Sequence, residues 1–117
     1  MRSDSYVDGF LLAVPNANKE RYLQVAHDAA QLFKEHGAME VVECWGDDVP
    51  EGKLTSMPMA VKLEGDETVV FSWVAWPSRE VRDVGMKAFM DDPRCPKDMP
   101  FDGKRVIYGG FRVLMHR

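Results

Sequence analysis

The sequence is poor in the residues that build metal and redox sites. Its 117 residues include only two cysteines and three histidines. Cys44 and Cys95 stand far apart and match no metal-ligand spacing. Motifs for flavins and nucleotides are missing as well. We therefore expect neither a metal nor an organic cofactor, and free thiols are typical of a cytoplasmic protein.

Long apolar runs and an excess of positive charge are also missing. A membrane span requires about 18 consecutive apolar residues, and none is present. The N-terminal segment lacks the apolar region of a signal peptide. The formal net charge is −4, whereas a groove for nucleic acid needs clustered Lys and Arg to displace counterions from phosphates. We expect no membrane and no nucleic acid as partners.

The residues that are present predict one globular domain over 1–117. A hydrophobic content of 45% is sufficient for a packed core. The chain is too short for two cores, and no internal repeat or low-complexity tract divides it.

The strongest local signal is the run VVFSWVAW at Val69–Trp76. β-Branched and aromatic residues dominate it, as in a pleated sheet. Pro77 ends the strand, and Ser78 is a suitable N-cap for a following helix. Side chains alternate across a strand, and here both faces are mostly apolar. Helices of the same chain can cover one face, whereas the other points to a partner subunit, so we expect a homodimer.

The rest of the pattern predicts two helices and three further strands. Apolar residues recur at helical spacing in the helices, and Pro, Gly or Asn bound the segments. An alternation at Met57–Leu63 predicts an extra short strand at the sheet edge. The predicted helices are Lys19–His36 and Arg79–Met90, and the predicted strands are Tyr6–Val14, Met39–Trp45 and Lys104–Met115.

Glycines inside two of these elements predict close packing on the backbone. Gly85 within the second helix costs about 1 kcal/mol relative to alanine, which a tight contact between helix and sheet would explain. Gly109 and Gly110 weaken the last strand, so we expect either a bend there or a group packed against it.

The resulting order is βαββαβ, with or without the extra short strand. Two helices on one face of a largely antiparallel sheet form the ferredoxin-like arrangement. The sequence therefore predicts an α+β fold of the ferredoxin-like class.

Five segments form motifs that together span almost the whole chain. They are YVDGF at Tyr6–Phe10, VECWGDDVPEGK at Val42–Lys53, VVFSW at Val69–Trp73, PSREVRD at Pro77–Asp83 and MPFDGKRVIYGGF at Met99–Phe111. These motifs resemble the YbaA-like family of small bacterial proteins of unknown function. The resemblance implies a dimeric α/β barrel, in which two ferredoxin-like subunits join their sheets. The loop Pro93–Asp98 is shorter than the family pattern, so its role stays open.

The resemblance brings no established activity with it. The wider superfamily includes cofactor-independent monooxygenases, haem-degrading enzymes, muconolactone-isomerase-like enzymes and plain ligand binders, so the fold does not give the function. Haem degradation would require an axial histidine facing the sheet, and the second predicted helix contains none.

Glu43 is the most informative candidate for chemistry. It shares a strand face with Val41 and Trp45, and a carboxylate on an apolar face needs a partner or a raised pKa. We expect Lys104 or Arg105 to be that partner.

Aromatic and polar residues could complete a pocket between the sheet and the helices. Ser72, Arg82 and Tyr108 are polar groups that could reach it. Arg82 could clamp a carboxylate ligand, or it could instead pair with an acid of the sheet or of a partner subunit. Packing in the core or at a dimer interface is the alternative for the tryptophans. The tryptophans considered are Trp45, Trp73 and Trp76.

Other candidates have simpler explanations. A nucleophilic Cys44 would need a base or a positive charge nearby, and no histidine is tied to it by sequence. Asp47 and Asp48 fall in a turn and point opposite ways, which is poor for chelating a metal. We therefore expect a small-molecule binder; the alternative is a cofactor-independent, monooxygenase-like enzyme on a small aromatic or enolisable substrate.

Overall fold

A computed structural model describes Arg2 and residues 4–117 of the chain. Met1 and Ser3, which the predicted domain 1–117 includes, lie outside the described residues. Strands and helices alternate along the chain. The strands are β1 (Tyr6–Pro15), β2 (Glu40–Trp45), β3 (Glu67–Trp76) and β4 (Ile107–Arg112), and the helices are α1 (Lys19–Glu35), α2 (Met57–Ala60) and α3 (Arg79–Asp91).

The strands form one antiparallel sheet in the order β2-β3-β1-β4. The two central strands, β1 and β3, pair over their full length, from Tyr6 opposite Trp76 to Pro15 opposite Glu67. The α+β class is confirmed, and the arrangement is compatible with the predicted ferredoxin-like fold. None of the helices in the described part of the chain is long and apolar enough to cross a membrane.

The long helices α1 and α3 pack on one face of this sheet. α3 begins after Ser78, whose hydroxyl accepts a hydrogen bond from the backbone N–H of Val81, as the capping pattern predicts. The rings of Phe33 in α1 and Phe89 in α3 stack with centroids 3.8 Å apart. Trp76 of β3 meets Phe33 edge-on, so this aromatic cluster joins both helices to the sheet.

The predicted close packing is confirmed at Gly85 and Gly110, whereas a Cβ at Gly109 would make only ordinary contact with the Phe111 ring. A methyl group at Gly85 would collide with the Trp76 indole and with the carbonyl oxygen of His36. A Cβ at Gly110 would lie 2.5 Å from the Tyr6 hydroxyl oxygen. Because Gly85 has no side chain, the backbone of α3 can pack directly against the Trp76 indole of β3 at this point.

The predicted edge strand at Met57–Leu63 is wrong, because this segment contains helix α2. The Ser56 hydroxyl accepts a hydrogen bond from the N–H of Met59 at 3.1 Å, and Pro58 occupies the first turn, where no backbone donor is required. Val61 then packs at 0% exposure against the β1–β3 end of the sheet.

The last strand is also shorter than predicted. Residues 103–105 form a 3-10 turn. Asp102 caps its start, because its carboxylate accepts a hydrogen bond from the backbone N–H of Lys104. β4 starts only at Ile107 and ends at Arg112.

Candidate functional site

A cavity of about 240 Å³ lies between the helices and the sheet. Its floor includes Phe10, Val41, Glu43, Ser72 and Val74, which the alternation of β1, β2 and β3 directs to the helical side. The walls are almost entirely apolar and rich in aromatic rings. Side chains of α1, α3 and the segment 96–106 line the remaining sides.

The polar centre of the cavity is a hydrogen bond between α1 and β2. The Tyr22 hydroxyl donates to Glu43 Oε1 across 2.6 Å. Tyr22 is buried, whereas Glu43 lies on the edge strand, where its side chain is partly covered by Tyr22 and partly accessible to solvent. Ser72, which is buried, lies directly opposite Glu43 in the β2–β3 pairing. Three side chains with oxygen atoms therefore lie next to one another in the lining of an otherwise apolar space.

The surroundings of this pair shift both of its pKa values. Partial burial among apolar groups raises the pKa of Glu43, while the hydrogen bond from Tyr22 acts in the opposite direction. Burial, followed by the negative charge of Glu43, raises the pKa of the Tyr22 hydroxyl. Tyr22 consequently keeps its proton and acts as the donor of the pair.

The segment after α3 forms the rim of the cavity and is fastened to α1. The Asn18 amide donates to the carbonyl oxygen of Pro100 at 3.1 Å, and the Arg21 guanidinium lies 3.1 Å from a carboxylate oxygen of Asp98. Pro96, which belongs to the loop Pro93–Asp98 whose role the sequence left open, lines the cavity. This loop therefore helps to enclose the cavity.

The structure brings together only two of the predicted pocket residues, Glu43 and Ser72. Trp45 packs at one end of the core, with the Lys19 ammonium 5.0 Å from its ring centroid. Trp73 lies on the opposite face of the sheet. Tyr108 is 78% exposed on the edge strand β4 and stacks on Phe10.

The predicted pairing of Glu43 with Lys104 or Arg105 is wrong. Arg105 forms two hydrogen bonds, of 2.8 and 2.6 Å, with the carboxylate of Glu67 instead. Lys104 is exposed in the turn before β4. The partner of Glu43 is Tyr22 of α1, which lies 21 residues earlier in the sequence.

Arg82 pairs with an acid of the sheet, as one of its two interpretations predicts. A guanidinium nitrogen of Arg82 lies 2.7 Å from a carboxylate oxygen of Asp8. The central carbon of the guanidinium lies 5.0 Å from the ring centroid of Tyr6. Asp8 is 4% exposed and also accepts the indole N–H of Trp76 at 2.9 Å. This network fastens α3 to the sheet, outside the cavity.

Sequence reasoning missed the roles of Tyr22 and Asp8, although each gave a signal. Tyr22 belongs to the inward face of α1, and Asp8 interrupts an otherwise apolar strand. A buried acid in a strand needs a cation or several hydrogen-bond donors. A partner is therefore predicted for Asp8 on the same grounds as for Glu43.

The face of the sheet opposite α1 and α3 is apolar. We call its central part the open face. α2 and Val61 cover only the end beside Leu11, Ala13 and Val69. Large side chains farther along are accessible: Phe71 and Ile107 are 45% exposed and Phe111 is 61% exposed. The open face consists of Val7, Gly9, Val42, Cys44, Phe71, Trp73, Ile107, Gly109 and Phe111.

The remaining polar candidates form no metal site. Asp47 and Asp48 are exposed after β2, and Cys44 is partly buried on the open face. Within residues 2 and 4–117, no group of three or more His, Cys, Asp or Glu side chains is arranged to hold a metal ion.

Comparison with known proteins agrees with the motifs in the sequence. Residues 5–103 match the family described as "Protein of unknown function (DUF1428)". The chain is 55% identical over 113 residues to "Uncharacterized protein YbaA" of Escherichia coli (strain K12), covering 94% of this chain and 97% of that protein. The protein of the same name from Shigella flexneri matches to the same extent. The chain therefore belongs to the YbaA-like family of proteins of unknown function.

Proposed function

We propose that this protein binds a small molecule in the cavity between the sheet and the helices. The observation that carries the proposal is the meeting of Tyr22, Glu43 and Ser72 in an otherwise apolar space. Ligand sites typically combine apolar walls with a few convergent polar groups. A ligand that fills this space would gain dispersion contacts with its apolar walls.

Filling the cavity tests the proposal. Ala29 lines the cavity from α1, whereas its neighbour Ala30 does not. Ala29→Phe should abolish binding of small aromatic probes, and Ala30→Phe should preserve it. Binding is measured as amide chemical-shift changes in ¹H–¹⁵N spectra, which also show whether each variant is folded.

The expected shifts cluster around Ser72 and Tyr22 in the wild-type protein. If small aromatic and aliphatic probes at millimolar concentration leave these amides unshifted, the ligand-binding proposal is rejected. If Ala29→Phe binds them as well as Ala30→Phe does, binding takes place elsewhere on the protein.

Catalysis is the alternative function, and one observation favours it. A carboxylate with a raised pKa is better suited to removing a proton from an enolisable substrate than an ordinary one. Glu43 has that property and lines the cavity. A cofactor-independent oxygenase would consume oxygen when given such a substrate, and Glu43→Gln should then abolish the consumption without unfolding the protein.

We also propose that the protein is a homodimer joined through the open face. Cross-strand neighbours make this face continuous: Val42 lies beside Trp73, Trp73 beside Gly9, and Gly9 beside Gly109. Large contiguous apolar patches are uncommon on monomers and typically mark interfaces. A second copy would present the same patch, so that the two sheets could pack face to face.

The oligomeric state tests this part of the proposal. Phe71→Asp puts a charge at the centre of the open face and should convert the dimer into a monomer in analytical ultracentrifugation. Val84→Asp is the matched control, because Val84 is 73% exposed on α3, on the opposite side of the molecule. A wild-type protein that sediments as a monomer at 100 μM would reject the dimer.

A further inference from the structure

We infer that the ligand of the cavity is a small amine, with its ammonium group bound between Glu43, Ser72 and Tyr22 and an apolar, ring-sized body inside. This inference rests on the proposed ligand-binding function and specifies its chemistry.

The charge of the cavity selects against anions. Among the described residues that line it, Glu43 is the only one with a formal charge at neutral pH. Two arginines of neighbouring elements, Arg105 and Arg82, are already paired with Glu67 and Asp8. A carboxylate or phosphate in the cavity would meet Glu43, and none of the described lining residues is a cation that could offset the repulsion.

The arrangement of acceptors matches an ammonium group. Tyr22 donates to Glu43 Oε1, so Oε2 can accept from a ligand. The hydroxyl oxygens of Ser72 and Tyr22 supply two further acceptors on the same side of the cavity. An ammonium has three N–H donors and no acceptor, so it can use all of these groups at once, whereas an alcohol donates a single hydrogen.

The size and the walls of the cavity define the rest of the ligand. A cavity of about 150 Å³ accommodates benzene. A volume of about 240 Å³ therefore leaves room for a benzene ring and about three further heavy atoms. Phe10, Phe33 and Phe89 line the space, and aromatic faces favour both apolar bodies and nearby cations.

Four probes with the same ring separate the head-group chemistry from apolar binding. They are 2-phenylethylamine, 2-phenylethanol, phenylacetate and ethylbenzene, titrated into the wild-type protein at pH 7 by NMR. We expect the amine to bind about fivefold to tenfold tighter than the alcohol, because hydrogen bonds to charged groups are the stronger ones. Phenylacetate should bind most weakly.

The outcomes distinguish this inference from the proposed function. If ethylbenzene or the alcohol binds as tightly as the amine, the cavity binds apolar molecules and the amine assignment is wrong. If phenylacetate binds best, the cavity does not select against anions, and the amine assignment is wrong for that reason too. If none of the four shifts the amides of Tyr22 and Ser72, both the inference and the binding function fail.

A pair of charge-removing variants completes the test. Glu43→Gln should lower the affinity for 2-phenylethylamine to that for 2-phenylethanol, while the affinity for the alcohol changes by less than about threefold. Glu40→Gln is the control, since Glu40 is an exposed acid of the same strand that does not line the cavity. Equal losses of amine binding in both variants would show only a general electrostatic effect and would overturn the inference.

Discussion

Replacement of Arg105 by methionine should destabilise the protein strongly. The Arg105 and Glu67 side chains are 16% and 4% exposed, and two hydrogen bonds join them. Arg105 also donates to the backbone carbonyl of Lys62 at 3.0 Å. Removing one partner of a buried ion pair leaves the other charge uncompensated and typically costs about 3–5 kcal/mol. That loss is a large part of the 5–15 kcal/mol by which domains are usually stable.

The same substitution should change how stability depends on pH. Hydrogen bonding to Arg105 lowers the pKa of Glu67 below its ordinary value. A carboxyl with a lowered folded-state pKa adds stability above its unfolded pKa of about 4.3 and loses it as the pH falls through the folded pKa. In Arg105→Met the unpaired, buried carboxyl should instead have a raised pKa. The stability gap between wild type and variant should therefore narrow from pH 7 to pH 4.

Urea unfolding followed by tryptophan fluorescence measures these effects at one fixed protein concentration. We expect the midpoint of Arg105→Met to fall by about 2 M urea at pH 7. Lys104→Met is the control, because its side chain is exposed, and its midpoint should stay near that of the wild type. A loss below about 1 kcal/mol for Arg105→Met, or no difference between the two variants, would refute the importance of the buried pair.

Three further predictions concern helix packing and the cavity. Gly85→Ala should destabilise the protein by about 1–3 kcal/mol through overpacking, despite the better helix propensity of alanine, whereas Gly65→Ala, with open space around it, should change the urea midpoint little. Arg82→Met should lower the free energy of unfolding by about 3 kcal/mol or more. It should also change the near-UV circular dichroism of Trp76, whose indole donates to the same buried Asp8. Unchanged stability would show that the ion pair between Arg82 and Asp8 is not important. Tyr22→Phe should raise the pKa of Glu43 in a ¹³C NMR titration, because a donor to the ionised form is lost; a fall in this pKa would show that the hydrogen bond is not formed.

Local signals in the sequence were sufficient for most of the fold. β3 and the start of α3 followed from an apolar β-branched run, a proline and Ser78, all of which act within a few residues. The same kind of reasoning failed at Met57–Leu63. The alternation of apolar residues there favoured a strand, but the cap at Ser56 and the position of Pro58 favour one turn of helix.

The candidate site was less predictable, because it depends on contacts between distant segments. The sequence pointed to Glu43 through its apolar neighbours on one strand face. It could not indicate which cation or hydroxyl would meet that carboxylate, since this depends on how α1 crosses β2. Register explains the outcome at β3 too: Ser72 lines the cavity while Trp73, the next residue, faces away.

The alternation along β3 has a consequence for the evolution of the chain. One strand supplies both the floor of the cavity, through Ser72 and Val74, and the centre of the open face, through Phe71 and Trp73. Insertion or deletion of a single residue within β3 would exchange these two sets of side chains. Aromatic rings would fill the cavity, and a hydroxyl would replace them on the outer surface. We therefore expect changes of length among related chains to fall in the segment 46–66 between β2 and β3, where an added residue leaves both surfaces intact.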